Sequence, residues 1–137
     1  MPQNHESLSR VLHFSTAHSP LHFSTAVYSG SYNDAQAQYS TISGGGPSDP
    51  SVNPTTTNNF VTDDYGTIGG GGGNQAGNDG GAVDDAPYAT VGGGYNNTAS
   101  GSRSTVGGGY NNTADGDSAT VGGGLDNTAS GDSATVG

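Results

Sequence analysis

Val91, Val106 and Val121 stand fifteen residues apart, each preceded by a threonine and followed by three glycines, and Val136 opens a further copy. The whole unit Thr90-Val91-Gly92-Gly93-Gly94-Tyr95-Asn96-Asn97-Thr98-Ala99-Ser100-Gly101 recurs with small changes at 105–116 and 120–131. Apolar and polar positions alternate twice within it, at Ala89-Thr90-Val91 and at Asn97-Thr98-Ala99-Ser100. Period-two runs this short, bounded by glycine and asparagine, predict two brief strands per repeat joined by turns. The density of glycine excludes helix. Side chains of a strand alternate between faces, so Val91 inward puts Thr90 outward, and Ala99 inward puts Thr98 and Ser100 outward.

The same frame extends towards the N-terminus through weaker copies. Thr67-Ile68-Gly69-Gly70 carries Asn74 and Ala76 at the offsets of Asn97 and Ala99, and the gap of 23 residues to Thr90 is one period plus eight, with the excess near 78–85. Thr41-Ile42-Ser43-Gly44 lies 26 residues before Thr67, one period plus eleven, with the excess in the Pro-, Ser- and Thr-rich stretch 47–57. Ala26-Val27, followed by Asn33 and Ala35, falls one period before Thr41. Six coils and the start of another result, and both insertions are expected to leave the stack at one corner, as loops of solenoids do.

The expected fold is therefore all-β, a repetitive parallel β-roll or β-solenoid with 15-residue coils over 26–137. Its core ladder is Val27, Ile42, Ile68, Val91, Val106, Val121 and Val136. A second inward ladder runs through Ala35, Ala76, Ala99, Ala114 and Ala129, with Val61 taking this place in the coil of Asn59. Thr90, Thr105, Thr120 and Thr135 form an exposed ladder. Residues 1–25 do not follow the frame. They duplicate His13-Phe14-Ser15-Thr16-Ala17 as His22-Phe23-Ser24-Thr25-Ala26, and read as an irregular N-terminal segment or cap.

Composition sharpens this picture. Leu, Ile, Val and Phe make up only ~13% of the 137 residues, 26 residues are glycine, and the net charge is −10. Without the period such a chain would be expected to stay disordered. One Val and one Ala per coil is a thin core against the entropy of ordering fifteen residues. Sharing a core among chains, as a homotrimer, is the expected remedy. The chain stops three residues into a repeat, which suggests a fragment, or a subunit continued head to tail by another copy in a filament.

Two Lys and Arg against twelve Asp and Glu argue against nucleic acid and against an anionic membrane surface. No stretch has the apolar length of a membrane span. With no cysteine there is neither a disulfide framework nor a thiolate metal site.

Ser118-Ala119-Thr120-Val121-Gly122 followed by Asn127-Thr128-Ala129-Ser130-Gly131 resembles the head repeats of trimeric autotransporter adhesins. The resemblance spans 26–137 and is close from 89 onward. It implies a left-handed parallel β-roll in a homotrimer, an extracellular or cell-surface setting, and adhesion to a host surface or matrix ligand. Three departures stand out: the period of 15 where family repeats are commonly a residue shorter, the long glycine triplets, and the lack of a coiled-coil stalk or membrane anchor. Similar repeats occur in phage tail fibres.

Candidate chemistry is sparse. Gly92–Gly94, Gly107–Gly109 and Gly122–Gly124 recur in every late coil with no Lys or helix after them, so they read as tight turns and not as a phosphate cradle. Asp115, Asp117 and Asp132, Asp84 with Asp85, and Asp63 with Asp64 offer hard oxygen ligands, but the calcium-binding nonapeptide spacing is absent and no metal site is expected. His5, His13, His18 and His22 are the available general bases, with no Ser or Asp placed by a motif to make a triad. No catalytic residue and no cofactor are expected. Asn96-Asn97-Thr98 and Asn111-Asn112-Thr113 are formal glycosylation sequons within an asparagine turn ladder. A single threonine file also raises ice binding as a lesser alternative to adhesion and to a filament or fibre subunit.

Overall fold

A computed structural model describes residues 27–28, 33–46 and 57–137. Among the described residues every strand is two residues long, every pairing is parallel, and the strands form two sheets. One sheet has seven strands: β1 (Val27–Tyr28), β3 (Thr41–Ile42), β5 (Thr67–Ile68), β7 (Thr90–Val91), β9 (Thr105–Val106), β11 (Thr120–Val121) and β13 (Thr135–Val136), in that spatial order. The other has six: β2 (Asp34–Ala35), β4 (Phe60–Val61), β6 (Gln75–Ala76), β8 (Thr98–Ala99), β10 (Thr113–Ala114) and β12 (Thr128–Ala129). The chain alternates between the two sheets, so each circuit adds one strand to each, and the fold is an all-β solenoid.

In-register stacking follows from the repeat. Thr90 pairs with Thr105 and Val91 with Val106, as Thr98 does with Thr113 and Ala99 with Ala114. Ile42, Ile68, Val91, Val106 and Val121 are fully buried, and Val61, Ala76, Ala99 and Ala114 face them from the second sheet, equally buried. Ala35 and Val136, near the two ends of the described stack, are partly buried against this core. Burial of each Val or Ile contributes about 1.5–3 kcal/mol. These columns are closed by the one chain, whatever further chains associate with it.

Two features of the register differ from expectation. Val27 pairs with Thr41 and Tyr28 with Ile42. The first circuit is thus one residue shorter than the later ones, and Tyr28, not Val27, stands in register with Ile42. The two insertions also leave from opposite corners. The excess before Asn59 lies in the connection from the seven-stranded to the six-stranded sheet, the glycine corner. The excess after Ala76 lies in the return connection, the tyrosine corner. A frame traced by a single motif per period counts surplus residues without fixing which of the two turns holds them. Most of the first insertion (47–56), the segment 1–25 and the four histidines lie outside the described residues.

A third inward column was missed in the sequence. Ser40, Ala89, Ser104 and Ala119 are fully buried, each just before the outward threonine of its coil, and Ala134 is partly buried in the same line. The alternation that turns Thr90 outward turns Ala89 inward as well as Val91, so the signal was present.

Candidate functional site

Asparagine supplies the polar spine of the stack. Asn59, Asn74, Asn97 and Asn112 are fully buried, where an amide without partners would cost several kcal/mol, of order 2–7. The Asn97 backbone N–H donates to the Asn74 Oδ1 at 3.0 Å. Its Nδ2 lies 2.9 Å from the carbonyl oxygens of Gly93 and Gly109 and 3.2 Å from the Asn74 Oδ1. The Asn97 Oδ1 in turn accepts from the N–H and Nδ2 of Asn112 at 3.0 and 3.1 Å. One side chain therefore ties its own turn to the coil before and the coil after.

The glycine triplets belong to that arrangement. At Gly94 φ is +90°, and a Cβ there would stand 2.2 Å from the Gly109 carbonyl oxygen. Only glycine allows both this backbone conformation and so close an approach of successive coils. The Gly92 and Gly107 N–H groups donate to Val106 and Val121 in the next coil, so these amides are occupied and not presented to a phosphate.

Outside the core, side chains form files along the solenoid axis. On the seven-stranded sheet Thr41, Thr67, Thr90, Thr105, Thr120 and Thr135 stand in register. At the glycine corner the Asn96 Nδ2 donates to the Asn111 Oδ1 at 2.7 Å, and the Asn111 Nδ2 donates to the Asp126 Oδ1 at 2.6 Å. Asp126 thus completes an exposed ladder as its acceptor, which accounts for the loss of the sequon in that repeat. Tyr95 and Tyr110 stack beside it with centroids 5.5 Å apart, and Leu125 continues their line.

The tyrosine corner carries the larger aromatic file. Tyr39 stacks on Tyr65 at 5.0 Å and 12°, and Tyr65 on Tyr88 at 4.7 Å and 10°. All three have positive φ, 56°, 61° and 64°. The Tyr65 phenol is pushed above its ordinary value, chiefly by desolvation and then by the Tyr88 and Tyr39 phenols and the Asp64 carboxylate. Sequence reading did not group these residues, although each lies two positions before an outward threonine.

The second insertion folds against the same corner and is held by a buried carboxylate. Asp63 accepts from the Asn78 N–H at 2.8 Å through Oδ2 and from the Ala86 N–H at 3.2 Å through Oδ1. Both ends of the loop are thereby pinned to one side chain. A shallow depression between the loop and the six-stranded sheet is lined by Gln36, Thr62, Asp63 and residues 78–83. Among the described residues no three His, Cys, Asp or Glu side chains are grouped to hold a metal ion.

Comparison with known proteins gives no match to a family model and none to a curated protein.

Proposed function

We propose that the chain is a non-catalytic structural and adhesive β-solenoid, a head-like segment of an extracellular surface adhesin of the trimeric autotransporter kind. The observation that carries this reading is the register. Coil after coil presents the same outward side chain at the same place, so the exterior is a set of repeated files. Such a surface engages a host cell or matrix through many weak identical contacts, whose strength comes from avidity. The Val and Ala columns are already buried within one chain. In the homotrimer we propose, the solenoids therefore meet through outer faces, and light scattering on the purified chain should give three chain masses; a folded, strictly monomeric species would overturn the trimer. Beads coated densely with the chain should attach to cell- or matrix-coated surfaces and sparsely coated beads should not. Attachment at no density on any such surface would overturn adhesion.

A second reading rests on the threonine file of the seven-stranded sheet, six residues in register from Thr41 to Thr135, which is a regular hydroxyl and methyl array suited to ordering water against ice. Thermal hysteresis that vanishes when Thr90, Thr105 and Thr120 become lysine would favour it. No activity in the parent chain removes it.

A further inference from the structure

We infer that the tyrosine corner between Ala37 and Tyr88 is a docking surface for a lysine- or arginine-bearing polypeptide segment. The inference deepens the adhesive reading, on which it rests for its biological setting, by naming where a partner sits and what charge it carries.

The turn itself does not call for an aromatic residue. Arg103, Ser118 and Ser133 occupy the same place in later coils with φ of 58°, 58° and 59°. Positive φ is an unfavoured conformation for a bulky residue, yet three successive coils place tyrosine there. The rings add nothing to the core, since Tyr39, Tyr65 and Tyr88 are 47%, 43% and 53% exposed. What three stacked rings provide is a half-exposed aromatic wall that brings three phenol groups together.

The wall has acidic company. The Asp64 N–H donates to the Val83 carbonyl at 2.7 Å and the Tyr88 N–H to the Asp64 carbonyl at 3.0 Å, so the second insertion is tied to the coils that carry Tyr65 and Tyr88. Exposed Asp79, Asp84 and Asp85 and an exposed Val83 come with it. Residues 33–46 and 57–88 contain six aspartates and no Lys, Arg or His. Arg103, one coil beyond Tyr88, has its Nε 3.4 Å from the Ser118 Oγ.

These features select the occupant. Both faces of Tyr65 are taken by its neighbours, which leaves a sugar ring no free face in mid-ladder. A lysine or arginine stem instead lies along ring edges while its head donates to phenol oxygens and carboxylates. The net charge of −10 steers such a segment in and an acidic one away.

The test titrates the full chain with an octapeptide alternating Lys and Gly, its Arg counterpart, and a Glu and Gly control, read by calorimetry and by tyrosine fluorescence, which no tryptophan obscures. Both basic peptides should bind, more weakly as salt is raised, and the acidic one should not. Changing Tyr39, Tyr65 and Tyr88 together to the serine found in that column at Ser118 and Ser133 should weaken binding about tenfold. Asp84→Asn with Asp85→Asn should weaken it several-fold and flatten the salt dependence, and Asp126→Asn with Asp132→Asn should leave it unchanged. Should the triple variant lose its β circular dichroism, Tyr88→Ser alone at the ladder end carries the same comparison. Absence of binding, equal binding by the tyrosine variants, an equal loss in the Asp126 and Asp132 control, or binding of a neutral oligosaccharide in place of the basic peptides would overturn the inference. Peptide binding without bead attachment sinks the adhesive reading alone. Bead attachment indifferent to the tyrosine changes sinks this one alone.

Discussion

Asn112 sits where five hydrogen bonds of one side chain link three coils. Its Nδ2 is directed at the Asn97 Oδ1 and the Gly108 and Gly124 carbonyls, and its Oδ1 accepts from the Asn127 N–H and Nδ2. Asn112→Ala leaves these partners buried and unmatched, and should cost about 3 kcal/mol or more in denaturant unfolding; a loss below about 1 kcal/mol would mean that the spine is not what holds the glycine corner. Ser104 gives the opposite case. Its hydroxyl is buried without a protein partner in a column that holds alanine at Ala89 and Ala119, so Ser104→Ala should raise stability by about 1 kcal/mol. At this scale the sequence was largely legible. The inward Ile42 to Val121 ladder and the outward threonines follow from alternation alone. The asparagines were legible as a turn ladder but not as a buried one, because burial of a polar residue depends on partners that only the stacked coils supply.

Elements here are two residues long, so each draws its stability from its neighbours along the stack, and elements that depart from the repeat are where specific predictions lie. The insertion at 78–85 has no partner coil, and the Asp63 carboxylate holds both its ends, beside the bond from the Asp64 N–H to the Val83 carbonyl. Asp63→Ala should free the loop, seen as protease cleavage between 78 and 85 and as a stability loss of about 2–3 kcal/mol; unchanged cleavage would place the anchorage elsewhere. The tyrosine ladder has its own signature in pH. Folding raises the Tyr65 pKa above its ordinary 10.0, so the neutral phenol is favoured in the folded state. That contribution is whole below pH 10.0 and is lost as pH climbs through the raised folded value. The melting temperature should accordingly fall more steeply above pH 10.0 in the native chain than in Tyr65→Ser, and parallel curves would contradict the cause. The one-residue slip at β1 and the opposite corners of the insertions were not legible. A repeat frame fixes spacing, whereas the turn that absorbs a surplus or a deficit is decided by closure against the neighbouring coil.

At the scale of the molecule, a chain whose composition alone points to disorder is ordered by period. A few valines buried in line, glycines that admit close approach, and asparagines that bridge coils together replace the large core the chain lacks. The same period builds the exterior, so the adhesive reading and the fold stand on one fact, the in-register stacking of successive coils within a single chain. The absence of cysteine makes that fact directly measurable. Spin labels attached to cysteines replacing the outward Thr90, Thr105 and Thr120 should lie about 5 Å apart from coil to coil. The electron paramagnetic resonance spectrum should then collapse towards a single exchange-narrowed line that persists when labelled chain is diluted into unlabelled chain. Three separate sharp lines, or narrowing that disappears on dilution, would contradict a solenoid closed within one chain.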